Sequence, residues 1–268
     1  MKKEWFFDRY CGQQFVALLE DGRLAEFAAE KEKSGDVVGN IYKGRVMNVL
    51  SGMQAAFIAC GLERNCYLSM EETYTDYSKY DGTMGGTNAQ QLNLKEGDEV
   101  IVQVTKPPRG NKGAKVTTHL SFVGKNLIYL PNTDFVGISR KITEAELRQN
   151  LLFTADKMRE RTDEGFIIRT QAPFVTRRQL KREAEYLKNL YGAMKECAKD
   201  APVGSVLYKD FDLPIRIMRD SMGDDVTAMY VGDDVLYDRL LKLVRLRGDL
   251  PERKIVHYTG KRAMMREY

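Results

Sequence analysis

Phe57, Tyr67 and a loop of closely spaced cations are the residues in this sequence best equipped for chemistry. Flat rings take nucleobases by stacking, and cations take the phosphates that join them. The loop is KPPRGNKGAK, from Lys106 to Lys115, and carries Lys106, Arg109 and Lys112. From Val100 to Thr133 there is no acidic residue, while Lys106, Arg109, Lys112, Lys115 and Lys125 all fall in that stretch. Two prolines stiffen the start of the loop, and Gly110 and Gly113 let its backbone approach a phosphate chain closely. An isolated group of cations is usually a solvated hairpin tip, and a lone aromatic in a strand is usually a core residue. Two aromatics on adjacent strands beside a basic loop favour stacking.

A second candidate is Arg169-Thr170, which closes the apolar segment GFIIRT, Gly165 to Thr170. A guanidinium takes phosphate oxygens by paired hydrogen bonds, and a threonine adds its hydroxyl and amide. Gly124, just past the strand Lys115 to Phe122, is placed to bring its backbone amide to the same ligand. The competing reading of Arg169 is a structural ion-pair partner. Arg177, Arg178, Lys181 and Arg182 fall in the first turns of a helix, where cations oppose the helix dipole. They mark either a solvated face or an anionic partner.

The elements that must position these groups follow from hydrophobic period and turn residues. Ile41 to Val49 reads as a strand with Lys43 and Arg45 on one side and Tyr42 and Val46 on the other. A turn at Ser51-Gly52 leads to the strand Ala55 to Ala59, and Cys66-Tyr67-Leu68 follows. Glu99 to Lys106 and Lys115 to Phe122 complete five strands. That schedule predicts an OB-type barrel with Phe57 and Tyr67 on its second and third strands. Between the third and fourth of these strands Glu71 to Asp98 reads as a mobile insertion, whose Tyr74, Tyr77 and Tyr80 either stack on bases or pack beneath it.

Beyond the barrel, Asn126 to Pro131 reads as a strand and Thr143 to Glu146 as a capping box. The helix after it turns Leu147, Leu151, Ala155 and Met158 inward. Thr176 and Gln179 form a second capping box, opening a long helix with Leu180, Ala184, Leu187, Tyr191 and Met194 inward. The last third reads as a short helix, the strand VTAMYVG, a helix ending at Gly248 and the strand RKIVHYTG. The first 38 residues read as a three-stranded meander that completes this half-unit. Residues 1–38 and 204–268 are therefore expected to fold together around an insertion.

Composition limits the rest. The 268 residues are 43% hydrophobic and 30% charged, as in a soluble globular chain, with a net charge of +4. No apolar run approaches 18 residues, and the N-terminus, with Glu4 and Asp8, is no secretory signal. The four cysteines form no C-x-x-C pair, and neither His119 nor His257 has a ligand partner one helical turn away. These features lead to a cytoplasmic expectation. Asp220, Asp224, Asp225, Asp233 and Asp234 invite a two-metal reading. However, Asp233-Asp234 falls at a helix N-cap and Asp224-Asp225 in a turn, so no metal is expected there.

GNIYKGRV, the AAF strand, RGNKGAKVTTHLS, GISRKI and IIRT, taken in order along the chain, resemble the ribonuclease E/G family. The resemblance implies an α+β multidomain architecture. A ribonuclease-H-like subdomain (1–38 and 204–268) is interrupted by an S-one-type OB-fold barrel (39–120) and an α/β 5′-sensor subdomain (121–203). It implies an endoribonuclease of RNA processing and decay that cleaves single-stranded, often AU-rich RNA and prefers a 5′-monophosphate. RNA-gripping roles fall on Phe57, Tyr67 and Lys112, with Lys106 and Arg109 in the same loop. The 5′-phosphate pocket falls on Gly124, Ile128, Arg169 and Thr170, with Ile128 in place of the family's usual valine.

The family's catalytic magnesium site lies in a D-x-N motif of a DNase-I-like subdomain, and this sequence has no D-x-N. The zinc-linking cysteine pair and a further pocket arginine are also missing. The expectation is therefore the N-terminal, RNA-recognising part of a longer enzyme, with no catalytic residue or magnesium of its own. Its partner would be single-stranded, 5′-monophosphorylated RNA, and homo-oligomers are expected only of the full-length enzyme. The alternative is a stand-alone, non-catalytic RNA-binding protein.

Overall fold

The computed structural model describes residues 2–31, 37–69, 80–84, 93–210, 213–221, 225–247, 251–260 and 264. In chain order, the elements up to the barrel's third strand are β1 (Lys3–Tyr10), β2 (Gln13–Glu20), β3 (Arg23–Lys31), β4 (Ile41–Leu50), β5 (Ala55–Ala59) and β6 (Cys66–Ser69). Then come β7 (Tyr80–Met84), β8 (Glu99–Lys106), β9 (Lys115–Thr117), β10 (Phe122–Val123), β11 (Leu127–Leu130) and β12 (Phe135–Ser139). The rest are α1 (Ala145–Lys157), β13 (Gly165–Ile168), α2 (Arg177–Asp200), β14 (Val206–Tyr208), α3 (Leu213–Ser221), β15 (Val226–Val231), α4 (Asp234–Arg247) and β16 (Ile255–His257). They form two compact units, Met1–Gly35 with Phe211–Tyr268, and Asp36–Asp210.

The first unit is a five-stranded sheet in the order β16-β15-β1-β2-β3. The meander β1-β2-β3 is antiparallel, and β15 runs parallel to both β1 and β16. Its two hairpins turn on Cys11-Gly12 and Asp21-Gly22, all four with positive φ. That backbone matches the strand twist in a two-residue loop. Trp5, Phe7, Val16 and Leu18 bury against Ile215 and Met218 of α3 and Leu236, Leu240 and Val244 of α4. Asp233 caps α4 by accepting from the Leu236 amide at 2.7 Å. The expected cap at Gly248 lies outside the described residues.

The second unit contains a closed five-stranded barrel, compatible with an OB-fold. Its long first strand, β4, is shared: Ile41 to Arg45 pairs with β8, and Arg45 to Leu50 pairs with β5. The ring closes through β5–β6, β6–β9 and β9–β8. Tyr42, Val46, Ile58, Leu68, Val102, Val104 and Val116 fill it. β14 adds to β4, Val206 opposite Tyr42, so residues 206–208 lie in the barrel sheet.

A second sheet in this unit runs β10-β11-β13-β12-β7. One face, with Leu127, Ile138, Phe166 and Ile168, is covered by Leu151 and Ala155 of α1 and Leu180, Ala184 and Leu187 of α2. The other buries Ile128, Leu130, Phe135 and Ile167, with Tyr80 packed against them. Among the described residues no helix is long and apolar enough to cross a membrane.

Three local expectations change. The strand read as Lys115 to Phe122 is two strands in different sheets. The Thr117 hydroxyl accepts from the His119 amide at 3.1 Å and bends the chain, and Leu120 and Phe122 enter the helix-covered core. The insertion is not wholly mobile: Tyr80–Met84 pairs with β12, and Tyr80 packs beneath it. Tyr74 and Tyr77 lie outside the described residues. The Thr143 capping box does not form, because the helix starts one residue later, with Glu144 at the N-cap and no side-chain hydrogen bond. The Thr176–Gln179 box does form.

Candidate nucleic-acid interface

Strand pairing gathers the aromatic and basic candidates into one row. Asn48 lies opposite Phe57, Phe57 opposite Tyr67, Tyr67 beside Lys115, and Lys115 opposite Lys106. Directly paired residues share a face of a sheet, so the row crosses the outer wall of the barrel. The inward residues on either side, Ile58, Cys66, Leu68 and Val116, are fully buried. Phe57 and Tyr67 are half-buried, with ring centroids 6.2 Å apart at 70°. An edge-to-face pair of this kind holds each ring in a fixed attitude while leaving area exposed for a base. Sequence reasoning found Phe57, Tyr67 and Lys106 but not Asn48, and it did not see that Lys115 adjoins Tyr67. Only register carries that information.

The basic loop is ordered by its own backbone. Arg109 and Lys112 exchange amide-to-carbonyl hydrogen bonds of 3.1 Å each across a tight turn in which Gly110 has φ 57°. Their side chains are exposed and sit directly opposite one another. Like charges in that position repel, and a phosphate between them would relieve the repulsion. Gly113 packs on the Asn65 carbonyl, where any side chain would collide. Arg64 donates to the Asn111 carbonyl at 2.6 Å, and the Tyr67 amide donates to the Ala114 carbonyl at 2.8 Å. Arg64 is thus a further cation at this loop, and no local pattern marks it. Lys43 and Arg45 both pair with Glu99, at 3.1 and 3.0 Å, and are compensated. Those two hydrogen bonds, Lys43 first, hold the Glu99 carboxyl below its usual range.

The Arg169 corner is built from the turn joining β10 to β11 and the end of β13. The Gly124 amide donates to the Leu127 carbonyl at 2.8 Å, and the Arg169 amide donates to the Asn126 carbonyl at 2.8 Å. One guanidinium nitrogen of Arg169 donates to the carbonyls of Gly124 and, at 3.1 Å, Lys125. Gly124 therefore offers its carbonyl, and its amide is already used. A side chain at Gly124 would meet the carboxylate of Glu183 of α2, which would have to shift. Glu183 in turn accepts from the Asn126 amide at 2.9 Å and its side-chain amide at 2.8 Å. The Thr170 hydroxyl lies 3.2 Å from that of Ser139 on β12. Ile128 is buried on the face away from the helices, between Val123 and Ile167. Gly124 and Arg169 are thus in contact, while Thr170 is held by β12 and Ile128 belongs to the core beneath.

The acidic residues have other partners. Asp220 pairs with Arg219 at 2.8 Å, Asp225 with Lys3 at 3.0 Å and Asp234 with His257 at 2.8 Å. Asp224 lies outside the described residues. Among the described residues no three His, Cys, Asp or Glu side chains gather as metal ligands.

The chain is thus a β-rich protein of mixed α/β content, with aromatics and cations in one row on its barrel and an arginine at the corner of a neighbouring sheet. Comparison with known proteins gives the family. The family described as "Ribonuclease E/G family" matches residues 121–268, and this chain belongs to it. It is 31% identical over 261 residues to Ribonuclease G of Haemophilus influenzae, covering 94% of this chain and 52% of that protein. It is 32% identical over 255 residues to Ribonuclease G of Escherichia coli K12, covering 92% and 51%. With Ribonuclease E of Escherichia coli K12 it shares 29% identity over 260 residues, 94% of this chain and 24% of that one. The chain spans about half the length of the ribonuclease G relatives it matches.

Proposed function

We propose that this chain is the RNA-binding and 5′-monophosphate-sensing portion of a cytoplasmic endoribonuclease that acts on single-stranded RNA. The observation that carries the reading is the row Asn48–Phe57–Tyr67–Lys115–Lys106. Stacking on Phe57 and Tyr67 reads no sequence, since every base has a π-face, and the adjoining lysines and the Arg109/Lys112 pair take the backbone. The sheet order β16-β15-β1-β2-β3, with α3 and α4 against it, supports a ribonuclease-H-like reading of the first unit.

At the second sheet Arg169 is the phosphate ligand, Thr170 adds a hydroxyl, and Ile128 forms an apolar base. Gly124 is a positioning residue, whose carbonyl orients the guanidinium. A terminal monoester carries more charge than a diester and offers the oxygens a guanidinium fork needs; a 5′-hydroxyl offers neither. Catalysis and magnesium belong to the longer enzyme, as do homo-oligomers.

The test is fluorescence anisotropy with a single-stranded oligoribonucleotide bearing either a 5′-monophosphate or a 5′-hydroxyl. Phe57→Ala and Tyr67→Ala are each expected to cost about 1–3 kcal/mol. The phosphorylated oligonucleotide is expected to bind more tightly, and Arg169→Ala to abolish the difference. Arg169→Lys should restore only part of it, because an ammonium makes no fork. Salt-insensitive binding unchanged in both aromatic variants would sink the barrel reading. Equal affinity for the two ends, with Arg169→Ala like wild type, would leave Arg169 a structural residue.

A further inference from the structure

A groove of about 370 Å³ runs between α1 and α2 and is lined by none of the residues assigned above. That volume is within the roughly 300–1,000 Å³ of sites that hold small organic ligands. Its floor is Ala184 and Met158, and its walls carry Phe153, Lys157, Arg177 and Lys181. Phe153 is 58% exposed although it stands on a well-formed helix. The Lys157 ammonium lies 5.4 Å from the centre of its ring. An exposed ring with a cation beside it is the combination that a base-stacking platform uses.

The charges around the groove are unbalanced. Lys188 is occupied, by Glu160 and Glu164 at 3.0 Å each and by the Met158 carbonyl at 2.8 Å. Setting it and Glu160 aside leaves Lys157, Arg177 and Lys181 facing Glu185 alone. Among the described residues none of these three cations makes an ion pair. Arg177 and Lys181 are also like charges one helical turn apart, as are Arg178 and Arg182 beside them, which destabilises a helix. All four lie at the end of α2 where the dipole already disfavours cations. Costs gathered in one place are what a functional site is expected to show.

We infer that the α1–α2 groove is a second RNA contact, in which Phe153 stacks on a base and Lys157, Arg177 and Lys181 take the adjoining phosphates. The occupant is RNA, the polymer of the family's own reaction class, which combines a π-face with closely spaced phosphates. The inference shares with the proposed function only the assumption that RNA is the ligand. It requires nothing of the barrel row or of the Arg169 corner.

The experiment measures anisotropy of a labelled single-stranded oligoribonucleotide over a salt series with the 268-residue chain. Phe153→Ala should raise Kd about fivefold or more. Arg177→Ser with Lys181→Ser should lower the slope of log K against log salt by about 1.4, two phosphate contacts at ~0.7 each. Glu185→Lys should tighten binding. All four residues are exposed, and circular dichroism checks that the fold is kept. Phe57→Ala with Tyr67→Ala is the parallel arm. Loss there with none in the groove variants overturns the groove and keeps the barrel, and the reverse pattern keeps the groove alone. Wild-type affinity in Phe153→Ala together with wild-type slope in Arg177→Ser with Lys181→Ser, or displacement of RNA by poly-glutamate as readily as by unlabelled RNA, overturns the inference.

Discussion

At the scale of the residue, the side chains that ligands would touch are held by neighbours that touch none. Arg64 ties the basic loop down through the Asn111 carbonyl. Arg64→Ala should therefore weaken RNA binding by loosening the Arg109–Lys112 turn, and faster amide exchange at Lys112 would show it. Glu164 plays the same part in the core of the second sheet. It is 2% exposed and accepts from the Tyr129 hydroxyl and the Lys188 ammonium at 3.0 Å each, and from the Glu160 amide. Burial alone would raise its carboxyl, but those hydrogen bonds outweigh burial and hold it below the usual range. A depressed carboxyl contributes stability that is complete above the unfolded value of about 4.3 and is lost as pH falls through the folded value. Glu164→Gln should cost about 1.5–3 kcal/mol at pH 7. The gap in Tm from wild type should narrow below pH ~4, and a gap constant from pH 7 to 3 would contradict this account. Burial depresses His119, which acts in the same direction: its contribution is complete above about pH 6.5 and falls away beneath.

At the scale of the element, the two helices over the second sheet begin differently. Thr176 and Gln179 satisfy each other's backbone at the start of α2, so Thr176→Ala should cost about 1 kcal/mol. At α1 the N-cap is Glu144, whose longer side chain makes no cap bond. Glu144→Ser should stabilise the protein by about 0.5–1 kcal/mol, seen as a higher Tm. A lower Tm would mean that Glu144 has a role its contacts do not reveal. The strands show how one connection serves two sheets: the segment between β6 and β8 leaves the barrel, pairs Tyr80–Met84 with β12, and returns.

At the scale of the whole molecule, the first unit is discontinuous and the second is a continuous run, Asp36–Asp210. A polypeptide of residues 36–210 is expected to fold alone and to keep the RNA affinity assigned to the barrel row. Its last strand matters. Val206 and Tyr208 cover the first half of β4, and removing residues 204–210 leaves that edge unpaired. The 36–203 polypeptide is therefore expected to aggregate or melt lower than 36–210. Gel filtration and a thermal melt of the two compare them directly.

Local pattern was enough to mark most strands and helices, the Thr176 capping box and the chemical character of Phe57, Tyr67 and the basic loop. Those features are written in side-chain period, turn residues and charge within a few positions. It was also enough to place the chain in the ribonuclease E/G family. Chain partnership was not written there. The bend after Thr117, the recruitment of Tyr80–Met84 and the placing of Val206–Tyr208 on β4 each depend on residues distant in sequence. The same holds for the site. That Lys115 and Asn48 flank the aromatics follows from cross-strand register. That Gly124 holds Arg169 by its carbonyl and makes room for Glu183 follows from a turn packing against a helix nearly sixty residues away. Propensity acts over one turn of chain, whereas register and packing are set by which surfaces exclude water together.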